Sequence, residues 1–139
     1  MTETPSPQPD GEPQDSGTTL TDILASLRDR VMGVSESVLS TADGLLVVAD
    51  VDSVHPESVA ALAAATLGVG RRMADQGGAG PLREVIVRGG SGHVVVTAVG
   101  DRALLTVMGD EGLDIAAFQR ESPAAVEELS KVLAADVSR

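Results

Sequence analysis

The chain contains no cysteine and almost no aromatic side chains. Among its 139 residues Phe118 is the one aromatic ring, and neither tyrosine nor tryptophan occurs. Without thiols the protein has no disulfide, no zinc-thiolate site and no cysteine nucleophile. Without further rings it offers no platform on which nucleobases stack, which argues against nucleic acid as a partner.

Positive charge is also scarce. Ten Lys and Arg residues stand against 21 Asp and Glu residues, giving a formal net charge of -11. Binding to a phosphate backbone needs clustered cations, which this composition does not supply. An acidic surface favours solubility and steers the protein towards partners that carry a basic patch.

Long hydrophobic runs are absent. No apolar run reaches the roughly 18 residues that a membrane span requires. The first residues lack both the basic start and the hydrophobic stretch of a signal peptide. We therefore expect a cytoplasmic protein with no direct membrane insertion, and the lack of cysteine is compatible with a reducing compartment.

Composition divides the chain into a tail and one domain. Residues 1–17 combine four prolines with acidic side chains and have Met1 as their one other apolar side chain. This composition is typical of a disordered acidic tail, with a solubilising role favoured over a docking role. Residues 18–139 are long enough to bury one core and are expected to form a single domain.

A helix is predicted from Pro56 to Gln76, with proline at its first position. At 100° per residue one side collects apolar residues and is the predicted core face; its members are Val59, Leu62, Ala63, Thr66, Val69, Gly70 and Met73. The other side has small residues in the middle and charges at the ends; its members are Glu57, Ala61, Ala64, Ala65, Gly68, Arg71, Arg72 and Asp75.

The small residues on the outer side predict a dimer. An antiparallel copy of the helix crossing near Ala64 and Ala65 would bring Glu57 of one chain opposite Arg71 or Arg72 of the other, which is the self-complementarity of a two-fold interface. On this hypothesis Ala64→Glu weakens the dimer, because a carboxylate would be buried without a partner. The alternative is that these alanines only supply helix propensity.

Periodicity and turn signals predict the remaining elements. Thr19 and Asp22 resemble a capping box, so the first helix is expected at 19–31. Strands are expected at 34–40, 45–49, 82–88, 93–99 and 102–108, a short helical turn around Ile115 and Phe118, and a last helix from Pro123 capped by Ser122.

The resulting order is helix, two strands, helix, three strands, helix. It predicts an α+β fold with one five-stranded, mostly antiparallel sheet and helices on both faces. The strand at 45–49 has no polar side, so both of its faces are expected to be covered.

The sequence motifs that suggest chemistry are weak. Gly89–Gly92 lacks the Gly-Lys-Ser or Gly-Lys-Thr of a phosphate loop and is better explained by a hairpin turn. Asp50–Asp52 begins like a calcium loop, but the loop's glycine and glutamate positions hold His55 and Ala61. His55 is interpreted as flanking a helix start, and His93 has no carboxylate at a spacing typical of a general base. We therefore predict no catalytic residue, cofactor or metal, and no enzymatic activity.

Two segments carry a family resemblance. Residues 38–49, Val-Leu-Ser-Thr-Ala-Asp-Gly-Leu-Leu-Val-Val-Ala, and residues 100–107, Gly-Asp-Arg-Ala-Leu-Leu-Thr-Val, are similar to the roadblock family of dynein light chains and bacterial MglB-type regulators. The alanine-rich helix between them supports the likeness, which spans about residues 20–133. The resemblance implies a roadblock/longin-like α/β/α sandwich.

The resemblance also implies a homodimer with antiparallel central helices, in which the strand at 84–88 pairs with its twin. Combined with the outer face of the helix, the predicted dimer interface is Ala61, Ala64, Ala65, Gly68, Glu84, Ile86 and Arg88.

The function implied is non-enzymatic regulation of a bacterial small Ras-like GTPase, whose switch regions MglB-type dimers reshape. Similar proteins are encoded in conservon clusters beside such a GTPase and a sensor kinase-like protein. We predict GTPase contacts at the charged ends of the central helix, namely Glu57, Arg71, Arg72 and Asp75. Two alternatives stay open: these charges serve only the dimer or the solvent, and the protein is a structural dimeric adaptor that leaves GTP hydrolysis unchanged.

Overall fold

A computed structural model describes the backbone of residues 12–137 and the side chains of residues 19–135. The described chain forms three helices and five strands in the predicted order. The helices are α1 (Glu12–Arg30), α2 (Pro56–Gln76) and α3 (Ile115–Val137); the strands are β1 (Val34–Thr41), β2 (Leu46–Asp50), β3 (Glu84–Arg88), β4 (Gly92–Val99) and β5 (Ala103–Asp110). None of the described helices is both long and apolar enough to cross a bilayer.

The strands form one antiparallel sheet in the order β2-β1-β5-β4-β3. The chain enters through the hairpin of β1 and β2, and α2 carries it across the sheet to the opposite edge. The meander of β3, β4 and β5 then returns to the centre, where β5 pairs with β1. This topology confirms the predicted fold class and leaves β2 and β3 as the two edge strands.

Helices α1 and α3 cover one face of the sheet and α2 covers the other. The cluster beneath α1 and α3 contains the largest fully buried side chains, including Phe118, Leu24 and Leu27. Beneath α2 lie two smaller clusters, one around Leu67 and one around Ala60. Strand β2 packs against both layers, with Val47 and Val48 on the cluster beneath α1 and α3 and Leu46 and Ala49 on a cluster beneath α2, as its lack of a polar side predicted.

Helix α1 begins earlier than predicted. It starts at Glu12 rather than at residue 19, so residues 12–17, expected to belong to the disordered tail, are helical. Pro13 lies in the first turn of this helix, where a missing backbone N–H costs no helical hydrogen bond. The prediction for residues 1–11 lies outside the described part of the chain.

Helix α3 is one continuous helix, not a short turn followed by a second helix starting at Pro123. Its start is fixed by Asp114, whose Oδ1 accepts a hydrogen bond of 2.9 Å from the N–H of Ala117. Phe118 is fully buried and holds this first turn on the core. Ser122 is therefore a buried position inside the helix and not its cap, because core packing outweighs the missing hydrogen bond of Pro123.

The hairpin turns differ slightly from their predictions. Between β4 and β5 the loop has three residues rather than the predicted two, since Val99 pairs with Ala103. Gly100 opens the loop with a φ of 62°, a conformation that favours glycine. Strand β3 starts at Glu84, two residues after its predicted start.

Candidate partner-binding surface

Helix α2 has sharply defined ends, which fix where its side chains point. His55 precedes it in an extended conformation, and its Nδ1 accepts a hydrogen bond of 3.4 Å from the N–H of Ser58. Pro56 then occupies the first turn, and the N–H of Gly77 donates to the carbonyl of Met73 at the other end. Both bounds agree with the predicted helix, and His55 flanks its start as interpreted.

The side of α2 that packs on the sheet is narrow and made of small residues. Ala60, Ala63 and Leu67 are at most 3% exposed. Gly70 continues this line, because a Cβ there would lie 2.7 Å from Cγ2 of Val85. The helix therefore approaches the sheet closely along one line of small side chains.

The predicted core face was wrong at three positions. Leu62, Val69 and Met73 are 67%, 58% and 69% exposed, although they were assigned to the core. The apolar arc of α2 is wider than the sheet beneath it covers. Periodicity places the core in the middle of such an arc and cannot tell which flank packs inside.

These three side chains form one surface, which we call the apolar stripe. With 3.6 residues per turn, Leu62, Val69 and Met73 fall within about 40° of each other around the helix axis. The stripe lies on the flank of α2 that faces β3, as Gly70 meets Val85 on the same flank. Large apolar side chains exposed together in this way mark an interaction site.

Strand β3 extends this surface at the edge of the sheet. Ile86 and Val87 are 37% and 47% exposed, while Val85 packs towards α2. Within the described chain β3 pairs on one side only, with β4. An exposed apolar edge strand is a template for pairing with another strand. The stripe and the β3 edge thus make one candidate binding surface.

Both the sequence and the fold of this chain are similar to those of known proteins. The model of the Roadblock/LC7 domain family matches residues 20–109, more than half of the chain. The chain belongs to the Roadblock/LC7 domain family. The resemblance seen in the sequence is confirmed. No curated protein matches the chain.

Solved structures agree with this assignment. The Roadblock/LC7 domain from Streptomyces avermitilis is 26% identical, with a TM-score of 0.75 over 81% of this chain and 96% of that chain. MglB from Myxococcus xanthus is 19% identical, with a TM-score of 0.75 over 85% and 97%. The gliding protein MglB from Thermus thermophilus is 18% identical, with a TM-score of 0.74 over 93% and 96%. The last two likenesses show the fold alone.

The small residues predicted for the dimer interface on α2 differ in exposure: three are exposed and one is half-buried. Ala61, Ala65 and Gly68 are exposed and stay a prediction. Ala64 is half-buried and packs with its own core. A Cβ at Gly44 would lie 3.5 Å from that of Ala64, so the β1–β2 turn of the same chain already occupies this position.

The three predicted interface residues on β3 lie together on one face of the strand. Glu84 Oε2 accepts a hydrogen bond of 2.7 Å from Nε2 of Gln119, which places this face on the side of α3. By alternation Ile86 and Arg88 share that side. Their role in a dimer stays a prediction that the single chain does not test.

The predicted GTPase contacts do not form one cluster. Glu57 lies in the first turn of α2 beside His55, at 3.6 Å from its Nδ1. Arg71, Arg72 and Asp75 lie near the other end, about 21–27 Å away at 1.5 Å per residue. All four side chains are exposed. A partner that contacts both groups has to span most of the helix.

Glu36 was missed by the sequence reasoning. Its side chain is 6% exposed on β1, and Oε1 accepts hydrogen bonds of 2.7 Å and 3.4 Å from the N–H groups of Asp52 and Ser53. Oε2 accepts a bond of 3.1 Å from the hydroxyl of Ser53. Burial alone would raise the pKa of Glu36, but these bonds, together with one from Val54, leave it lowered. The carboxylate thus fixes the loop that leads into α2.

The chemistry of the remaining polar groups is modest. Within residues 19–135 no three His, Asp or Glu side chains come close enough to hold a metal ion. His93 directs Nδ1 at the carbonyl of Asp110, 3.3 Å away. Asp50 ends β2 and pairs with Arg28 of α1 at 2.8 Å, so it supports the contact between helix and strand.

Proposed function

We propose that this protein is a non-enzymatic homodimer that binds and regulates a bacterial small Ras-like GTPase. One observation carries the dimer: the apolar stripe lies beside the open edge of β3. A second copy related by a two-fold axis covers both at once, since each chain offers the same stripe and the same edge. One neighbouring structure, described as MglB with tetrameric arrangement, is an assembly of that protein built on this fold.

The GTPase is proposed as partner because the family resemblance includes MglB-type regulators. Dimerisation would place two copies of α2 next to each other, with Arg71 and Arg72 exposed on each. Two helices side by side offer a rigid surface that can favour one arrangement of a mobile switch region. Regulation then follows from population shift, as the dimer binds the hydrolysis-competent arrangement more tightly.

The first experiment measures the mass of the full chain in solution. We expect twice the mass of one chain at low micromolar concentration. Leu62→Glu should yield a folded monomer, because the side chain is exposed in the single chain and would place a carboxylate inside the dimer. Lys131→Ala, an exposed change on α3, is the matched control and should remain dimeric. A dimeric Leu62→Glu variant would contradict the proposed interface.

The second experiment measures single-turnover GTP hydrolysis by a small Ras-like GTPase from the same organism. We expect a faster rate with the wild-type dimer and a smaller effect with Leu62→Glu at equal concentration. Measurable binding with an unchanged rate would favour the adaptor over the regulator. No binding to that GTPase would contradict the regulator.

A further inference from the structure

The backbone of β3 shows which of its groups face the open edge. The N–H of Gly89 donates to the carbonyl of Gly92 at 2.8 Å, so these two residues form a hydrogen-bonded pair. Bonded and non-bonded pairs alternate along an antiparallel ladder. The pairs of Val87 with Val94 and of Val85 with Val96 are therefore bonded.

It follows that the intervening residues turn their backbone groups outward. Glu84, Ile86 and Arg88 face β4 in non-bonded pairs, so their N–H and C=O groups point away from β4 towards the open edge. No other strand of the described chain pairs with these groups. The edge offers three equally spaced residues to an incoming strand.

Ile86 is flanked at equal spacing by two side chains of opposite charge. Glu84 lies two residues before it and Arg88 two residues after it, on the same face of the strand. When the strand pairs antiparallel with a copy of itself about Ile86, each glutamate lies opposite the arginine of the other chain. Opposite charges facing each other across strands are favourable, and like charges are not.

The other face of β3 fits the same register. Val85 and Val87 point towards α2 and the apolar stripe, and pairing about Ile86 sets Val85 of one chain opposite Val87 of the other. In a register centred on Val85, Val87 of one chain would lie opposite Arg83 of the other. In a register centred on Val87, Val85 of one chain would lie opposite Gly89 of the other. Pairing about Ile86 is thus the register that joins valine with valine and charge with opposite charge.

Pairing of β3 with its twin is what the family resemblance implies; we propose that this pairing is antiparallel about Ile86 and that Glu84 and Arg88 set this register and select an identical copy as the partner. The proposal rests on the homodimer proposed above and adds its register and the source of its selectivity. The two sheets become one ten-stranded sheet, and the two apolar stripes meet on one side of it. A related chain without this charge pattern would set a charge against an apolar or like-charged residue.

Charge reversal in the full chain tests the register. Glu84→Arg alone places arginine opposite arginine at both ends of the paired strands, and Arg88→Glu alone places glutamate opposite glutamate. Each variant should dimerise about tenfold or more weakly than wild type. A 1:1 mixture of the two should form heterodimers, because every facing pair is then of opposite sign. The double variant should dimerise with nearly wild-type affinity.

Native mass spectrometry of differently tagged chains measures the heterodimer fraction, and sedimentation measures affinity. Arg83→Glu is the control for Arg88→Glu, since it changes the charge equally just before the paired segment and should change the affinity little. Circular dichroism should show each variant folded.

The outcomes separate the two proposals. In one outcome the wild-type chain is a dimer, but the mixture of variants forms no more heterodimer than random exchange gives. This result would overturn the register and leave the homodimer proposal intact. Single variants that dimerise as tightly as wild type would do the same. A monomeric wild-type chain would overturn both. GTP hydrolysis is not read in this experiment, so the GTPase proposal is judged separately.

Discussion

The two faces of the sheet are covered by helices to very different extents. Beneath α1 and α3 the largest side chains of the protein, such as Phe118, Leu24 and Leu129, are fully buried. Helix α2 buries Val59, Ala60, Ala63 and Leu67, while three other apolar residues, Leu62, Val69 and Met73, lie outside. One layer is complete within the single chain. The other leaves apolar side chains exposed, and we propose that a second copy covers them.

The largest effect on stability is expected in the layer beneath α1 and α3. Phe118→Ala removes the one aromatic ring from the centre of the α1 and α3 core and should lower the free energy of unfolding by about 3–5 kcal/mol. Chemical denaturation of the full chain measures this. A loss below about 1 kcal/mol would mean that this layer is not the main source of stability.

The same substitution at two positions of α2 sharpens the comparison. Leu67→Ala, at a position 2% exposed, should lower the free energy of unfolding by about 2–5 kcal/mol at every protein concentration. Leu62→Ala, at a position 67% exposed, should leave folding of the single chain nearly unchanged and weaken only the dimer. Because association adds stability by mass action, its effect should depend on protein concentration. Unfolding curves at several concentrations distinguish the two, and equal behaviour would contradict the division of the helix.

Glu36 on β1 holds the loop that leads into α2, and its replacement should have a smaller, pH-dependent effect on stability. Glu36→Gln should cost about 1–3 kcal/mol at pH 7, because the amide accepts the loop hydrogen bonds less strongly than a carboxylate. The pKa of Glu36 is lowered in the folded state from its ordinary value of 4.5. Its contribution is therefore fully present above about pH 4.5 and disappears as the pH falls through the folded pKa.

Denaturation midpoints across pH 3–7 test this sign. The difference between wild type and Glu36→Gln should shrink below pH 4.5. Glu127→Gln, an exposed change on α3, is the control and should show little difference at any pH. A difference that grows as the pH falls would contradict the assigned role of the carboxylate.

The smallest effects are expected at two glycines of α2. Gly68→Ala should raise the stability of the single chain by about 1 kcal/mol, because no atom lies within 4 Å of the new Cβ and alanine favours a helix. Gly70→Ala should show no such gain, since its Cβ would lie 2.7 Å from Val85. Thermal unfolding at low concentration compares them. If Gly68→Ala also weakens the dimer, the predicted small-residue contact at Gly68 is supported.

Local signals in the sequence were sufficient for several elements. The bounds of α2 follow from Pro56 and from the glycines after Gln76, which act on neighbouring backbone groups. The β1–β2 hairpin follows from its Asp-Gly turn in the same way. These signals need no knowledge of the rest of the chain, and they also carried the family resemblance.

Other elements depended on distant contacts. Proline in the first turn is a local sign of a helix start, yet Pro123 lies inside α3 because Phe118 holds the preceding turn on the core. Glu36 looked like an ordinary strand residue, and its role appears only when the loop at Asp52 and Ser53 lies against it.

The sequence by itself determined the order of elements, the ends of α2, the antiparallel class of the sheet and the family. The tertiary structure decided how the apolar arc of α2 is divided, since the sheet covers Ala63 and Leu67 but not Leu62 and Val69. Helical periodicity records that a side chain is apolar and where it lies around the axis. Whether it contacts its own sheet or a second molecule depends on the width of the sheet beneath it, which pairing between distant strands sets.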